Sequence, residues 1–169
     1  MHATSRDILW AQFGASIDML EHAIRACPDE LWNDNARQPE FWYLAYHTLF
    51  FLDLYLSDAT EGFAPPLPFT LDELDPSGVM PERPFTKGEL LSYLAHGRSK
   101  ARARIATLTA ENETNQCRFG WIDLTRFESL LYNMRHVQHH VGQLNLLLRQ
   151  ATCAPPRWVA RTASDARPQ

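Results

Sequence analysis

Two histidines four residues apart, His136 and His140, stand in the run RHVQHHVGQLNLLLRQ, and a third, His47, stands in the apolar run FWYLAYHTLFFLDLYL. Residues i and i+4 of an α-helix are neighbours on one face, so two imidazoles at that spacing can bind one cation. A third imidazole from a facing helix would complete three neutral nitrogen donors and leave positions for water or substrate, as in catalytic rather than structural metal sites. Such a centre lowers the pKa of a bound water toward about 7, or binds a thiol as thiolate, and so prepares a nucleophile. No other chemical centre is in view: the chain has no HExxH, no G-x-S-x-G elbow and no Walker-type loop.

Helices must position these residues, because no alternating run bounded by turn signals reads as a strand. Leu9, Phe13, Leu20 and Ile24 recur at helical spacing and Cys27-Pro28 closes the pattern, which predicts a first helix from Ser5 to Ala26. Pro39 suits a helical first turn, and a second helix is expected from there to Ser57. Of its 16 residues from Phe41 to Leu56, 13 are apolar or aromatic. That is too short and too interrupted for a membrane span, and it calls for burial on most sides, partly by a second copy of the chain. Six prolines between residues 60 and 85 exclude a helix or central strand there, leaving a long connection that could wall a site. Thr86 with Glu89 and Thr125 with Glu128 have capping-box spacing and open helices to Thr109 and Gln150. In the last helix Leu130, Met134, Val137, Val141, Leu144 and Leu148 form an unbroken seam. The expected fold is all-α, a four-helix bundle over residues 1–153 with a long Pro-rich loop between helices 2 and 3, then an extended tail over 154–169 anchored by Trp158.

At about 100° per residue the histidines separate. His22 and His96 lie roughly 170° and 160° from the apolar stripes of their helices and should face solvent, and His2 is near a terminus. On the last helix His139 is opposite the seam, whereas Ser129, Asn133, His136, His140 and Gln143 form a polar stripe bordering it. His47 shares its stripe with Tyr43, Leu44, Phe51 and Leu54, so its ring points into the core and needs a partner. Asn133 and Gln143 are the candidates to orient a ligand imidazole or a substrate. Glu40 and Asp58 share the His47 stripe and could close the shell as a fourth ligand, which would make the ion structural and the bundle a non-catalytic, metal-stabilised interaction module. No carboxylate can be placed beside the metal as general acid or base.

Twenty acidic against sixteen basic residues give a formal charge of -4, the pI is near 5.9 and the mean hydropathy -0.34. These values fit one globular domain and argue against a nucleic-acid partner. Arg98, Lys100, Arg102 and Arg104 alternate around the third helix with Ala and Ser, as on a solvated face. Cys27, Cys117 and Cys153 form no CxxC and suit a reducing compartment, and the first residues offer no signal-peptide h-region, so the expected location is cytoplasmic.

The runs RHVQHHVGQLNLLLRQ and FWYLAYHTLFF together resemble the DinB-like family of metal-dependent enzymes, over about Ser5 to Gln150. The resemblance implies a four-helix bundle that holds a divalent metal through one histidine of the second helix and a HxxxH pair of the fourth, with a GQ-like dipeptide following. Carried onto this chain the ligands are His47, His136 and His140, the same three that the helical angles select, and Gly142-Gln143 takes the place of the dipeptide. It further implies a homodimer and thiol-dependent S-transferase or isomerase chemistry, while a metal-activated water or thiolate acting on a small-molecule substrate points to hydrolysis or thiol transfer. Zinc or nickel is the expected metal, and a low-molecular-weight thiol is a second candidate cofactor.

Overall fold

A computed structural model describes residues 3–163. Its elements are α1 (Ala3–Ala26), α2 (Asp29–Trp32), α3 (Phe41–Leu54), α4 (Lys87–Ala106), β1 (Gln116–Arg118), β2 (Asp123–Thr125) and α5 (Arg126–Thr152). The four long helices form the bundle, and both expected capping boxes are made: Thr86 and Thr125 accept from the backbone N–H of Glu89 and Glu128, whose carboxylates accept in return from the cap N–H. Pro39 lies before α3, whose N-cap is Glu40. The α5 seam is buried at Leu130, Val137, Val141, Leu144 and Leu148.

In cross-section α1 packs on α4 and α5, and so does α3. The contacts also fix directions. Tyr46 lies against Phe85, just before α4, whereas Asp53 meets Tyr93 and Lys100 farther along it, so α3 and α4 run the same way. A chain leaving the end of α3 must therefore travel back about 20 Å before α4 can start, which is why a long connection is required. Aromatic side chains fasten this return segment to α2, α3 and α4. Phe69 stacks on Tyr93 at 4.3 Å between ring centroids, Phe63 meets Phe50 edge-on, and the Trp32 indole N–H donates to the Phe85 carbonyl at 3.0 Å.

Eleven of the 14 residues of α3 are buried within one chain. The return segment, α4 and α5 together cover it, so its apolarity is no argument for a second copy. The expectation that no strand exists is corrected by the antiparallel pair β1 and β2, with Cys117 opposite Leu124. Strands of three residues are too short to show alternation. Gly120, at φ +82°, turns this hairpin in a conformation that glycine adopts without strain.

After α5, Cys153 closes the helix in the left-handed conformation and residues 154–163 run without helix or strand along α1. The Thr162 N–H donates to the Ala11 carbonyl, and Val159 packs on the core. Trp158 is 70% exposed, so backbone bonding and Val159 hold this segment in place of the expected tryptophan anchor. His2 and residues 164–169 lie outside the described residues. No described helix is long and apolar enough to cross a membrane.

Candidate metal centre

His47, two turns into α3, faces His136 and His140 on consecutive turns of α5, with ring centroids 5.6 and 4.9 Å away. One nitrogen from each ring lies within 4.8 Å of the others, and among the described residues this is the group that could hold an ion. The ring faces decide which nitrogens converge. Glu73 Oε2 stands 2.7 Å from His47 Nδ1, Gln143 Oε1 stands 2.7 Å from His140 Nδ1, and the Nε2 atoms of His140 and His136 are 3.1 Å apart. A carboxylate accepts and a carbonyl oxygen accepts, so Nδ1 carries the proton on His47 and His140. Both Nε2 lone pairs are then free toward the centre, which is the tautomer a metal ligand needs. The donor set therefore fits a divalent cation bound by three neutral nitrogens.

Burial supports neutrality. Loss of solvation, then the neighbouring His140 and His47, push the His136 imidazole from its ordinary 6.5 down to about 3, and burial lowers His140 as well. The unfolded chain consequently takes up protons that the folded one refuses, so stability should fall as pH drops below about 6.5 toward 3. Denaturant midpoints of chelator-treated protein between pH 7.5 and 5 should show that decline, and His136→Leu should flatten it.

The ring edges open on a cleft of about 360 Å³, lined by His47 and His136, by Phe51 of α3 and Tyr55 at its C-cap, by residues 73–76 of the return segment and by Trp121 at the hairpin turn. The Pro-rich segment thus forms one wall, as its length suggested. Asn133 is fully buried and its amide donates to the Leu52 carbonyl of α3 at 2.9 Å. Its Oδ1 and the His136 Nδ1, one turn farther along α5, are both buried without a partner.

The two carboxylates considered as a fourth ligand are elsewhere. Glu40 accepts from the Gln38 side chain, and Asp58 pairs with Arg104 and Arg126 at the hairpin base. Those ion pairs, with burial opposing them, leave the Asp58 carboxyl below the usual range. The carboxylate beside the histidines is Glu73, with a side chain only 4% exposed. It comes from a short 3-10 turn, Asp72–Leu74, in the return segment. No periodicity marks such a residue, because its partner is set by the path of a loop.

His22 and His139 are exposed as expected. His96 is exposed too, yet its Nε2 lies 3.4 Å from Asp53 Oδ1, because Tyr93 and Gly97 face inward and rotate the buried face of α4 by roughly 40° from the Leu91 stripe. The α4 cations are not merely solvated. Arg98 pairs with Asp18 and Glu21, Lys100 with Asp53, Arg104 with Asp58, and Arg102 lies over the Trp10 ring. They bridge helices and leave no open basic stripe for a phosphate backbone. Cys27 and Cys117 are buried free thiols, the first pushed up to about 12 by burial, which makes it inert at neutral pH.

Among sequence families, the description that matches is the DinB superfamily, over residues 12–144. Comparison with curated proteins gives no match.

Proposed function

The chain belongs to the DinB superfamily, and on that premise we propose that it is a divalent-metal-dependent enzyme of the hydrolase or thiol S-transferase type. The observation that carries the reading is the convergence of one ring nitrogen from each of three histidines beside an open cleft, with two of the rings held from behind by Glu73 and Gln143. His47, His136 and His140 would hold the ion, and a zinc or nickel ion on three neutral nitrogens would supply Lewis acidity sufficient to deprotonate a water or a thiol near pH 7. The chain's own contribution is geometric. Glu73 keeps the His47 proton on Nδ1, Gln143 does the same for His140, and Phe51, Tyr55 and Trp121 limit solvent on the open side. Asn133 Oδ1 and His136 Nδ1 stand one turn apart, each without a partner, so Asn133 would orient the third ring only after a small shift brings the two together. The three free thiols fit a reducing, cytoplasmic setting. A homodimer rests on the family resemblance alone.

Glu73 is a positioning residue in this reading. Removing an outer partner of a metal-binding imidazole costs about 10- to 100-fold in affinity, so Glu73→Ala should weaken zinc binding by that factor in a chelator competition, with Glu73→Gln retaining more because its amide oxygen still accepts from Nδ1. The functional reading is tested with the cobalt(II)-substituted protein. Azide and a small thiol are each expected to change its visible spectrum, since a coordination position is open to them. A silent spectrum would indicate a closed shell and a structural ion.

A further inference from the structure

Apart from the histidines, the cleft is lined by charge of one sign. Its lining contains two ionisable carboxylates, Glu73 and Asp75, and no lysine or arginine. Glu73 is committed to His47, while Asp75 is exposed and accepts from the backbone N–H and the hydroxyl of Ser77 at 2.8 and 2.6 Å. Those bonds hold its carboxyl below the usual range, so it is ionised at neutral pH. The rest of the lining is apolar or aromatic. Phe51 meets Trp121 edge-on at 6.1 Å between centroids, Tyr55 meets it at 6.4 Å, and Leu74 and Pro76 are also in the lining. Trp121 is 53% exposed, an unusual state for so large an apolar ring unless it serves a surface.

Resting on the proposed metal-dependent reading, we propose that the substrate is a small molecule with a flat, aromatic or similarly apolar body and a neutral or cationic far end, the body packed against the touching Phe51 and Trp121 rings and the far end beside Asp75. A dication offset by two carboxylates leaves a site with little net charge. One metal-binding donor atom is then accommodated, but a second anionic group at the far end would face Asp75 with no cation to receive it. Trp121 and Asp75 are the specificity-determining residues. This selects against thiols whose bodies carry free carboxylates and favours uncharged or amine-bearing ones.

The test is a titration of the cobalt(II)-loaded full chain, read by visible absorption, with phenylmethanethiol and its para-aminomethyl and para-carboxylate derivatives. The carboxylate should bind at least about tenfold more weakly than the other two, the effect of one like-charge contact in a partly exposed site. Asp75→Lys should reverse the order of the two charged probes. Trp121→Ala should weaken all three by about tenfold through loss of ring contact. Equal or tighter binding of the carboxylate by the unaltered protein, or no change in Trp121→Ala, would overturn the substrate class. 2-Mercaptoethanol separates the two ideas. If it alters the spectrum while the aromatic probes show no charge preference, the open site stands and the substrate class falls. If no thiol alters the spectrum, the metal-dependent reading falls and takes the substrate class with it.

Discussion

Alanine in place of His47, His136 or His140 is expected to lower zinc or nickel affinity by roughly two to three orders of magnitude each, because an apparent binding free energy of about 10–16 kcal/mol is shared among some four donors. The three losses should be of similar size, since each ring contributes one nitrogen to the same centre. His139→Ala is the control. It adjoins His140 in sequence and its exposed ring lies 5.0 Å from that of His140, but it is not one of the three converging histidines, so stoichiometry by elemental analysis and affinity by competition should both be nearly unchanged. Equal loss in that control would refute the ligand assignment.

The second large effect is on stability. Asp53 is fully buried near the end of α3, where it accepts from Lys100 Nζ at 2.5 Å and from the Tyr93 hydroxyl at 3.2 Å. The Lys100 ammonium also reaches the Asp53 carbonyl and the Ser57 hydroxyl. This cluster ties α3 to α4 where the helices approach closely enough that a Cβ on Gly97 would lie 2.9 Å from Leu52. Asp53→Ala removes one partner of a buried pair and strands the other, which costs about 3 kcal/mol, the low end because Lys100 can turn toward solvent. For a chain of this size the melting temperature should fall by about 10 °C. Combining Asp53→Leu with Lys100→Met removes both charges and should recover most of the loss. A single variant melting within a degree or two of the unaltered protein would contradict the assignment.

Much of the site was legible because it lies on helices. A regular 100° step places His136 and His140 on one edge of a strong apolar seam and His47 on the inner face of α3, and no loop geometry is needed for that deduction. The capping boxes were legible for the same reason, being local patterns with one structural meaning. The parts that depend on the path of irregular chain were not. Glu73 reaches His47 only because α3 and α4 are parallel and the connection must retrace α3, and Trp121 reaches the cleft only because a hairpin of two three-residue strands turns beside it. A stripe through Leu91 places His96 and Lys100 toward solvent, whereas the helix turns Leu90, Tyr93 and Gly97 inward and brings both side chains to Asp53. The cost of a buried carboxylate at Asp53 should itself have demanded a cation on a facing helix.

The central claim, an open cation site on three histidines, is tested most directly by a crystal structure of the zinc-loaded protein with an anomalous difference map at the metal edge. The account predicts one peak per chain, about 2.0–2.1 Å from Nε2 of His47, His136 and His140, with at least one remaining position facing the cleft and held by a small molecule. A fourth protein side chain on the metal, or a peak away from these three nitrogens, would contradict it.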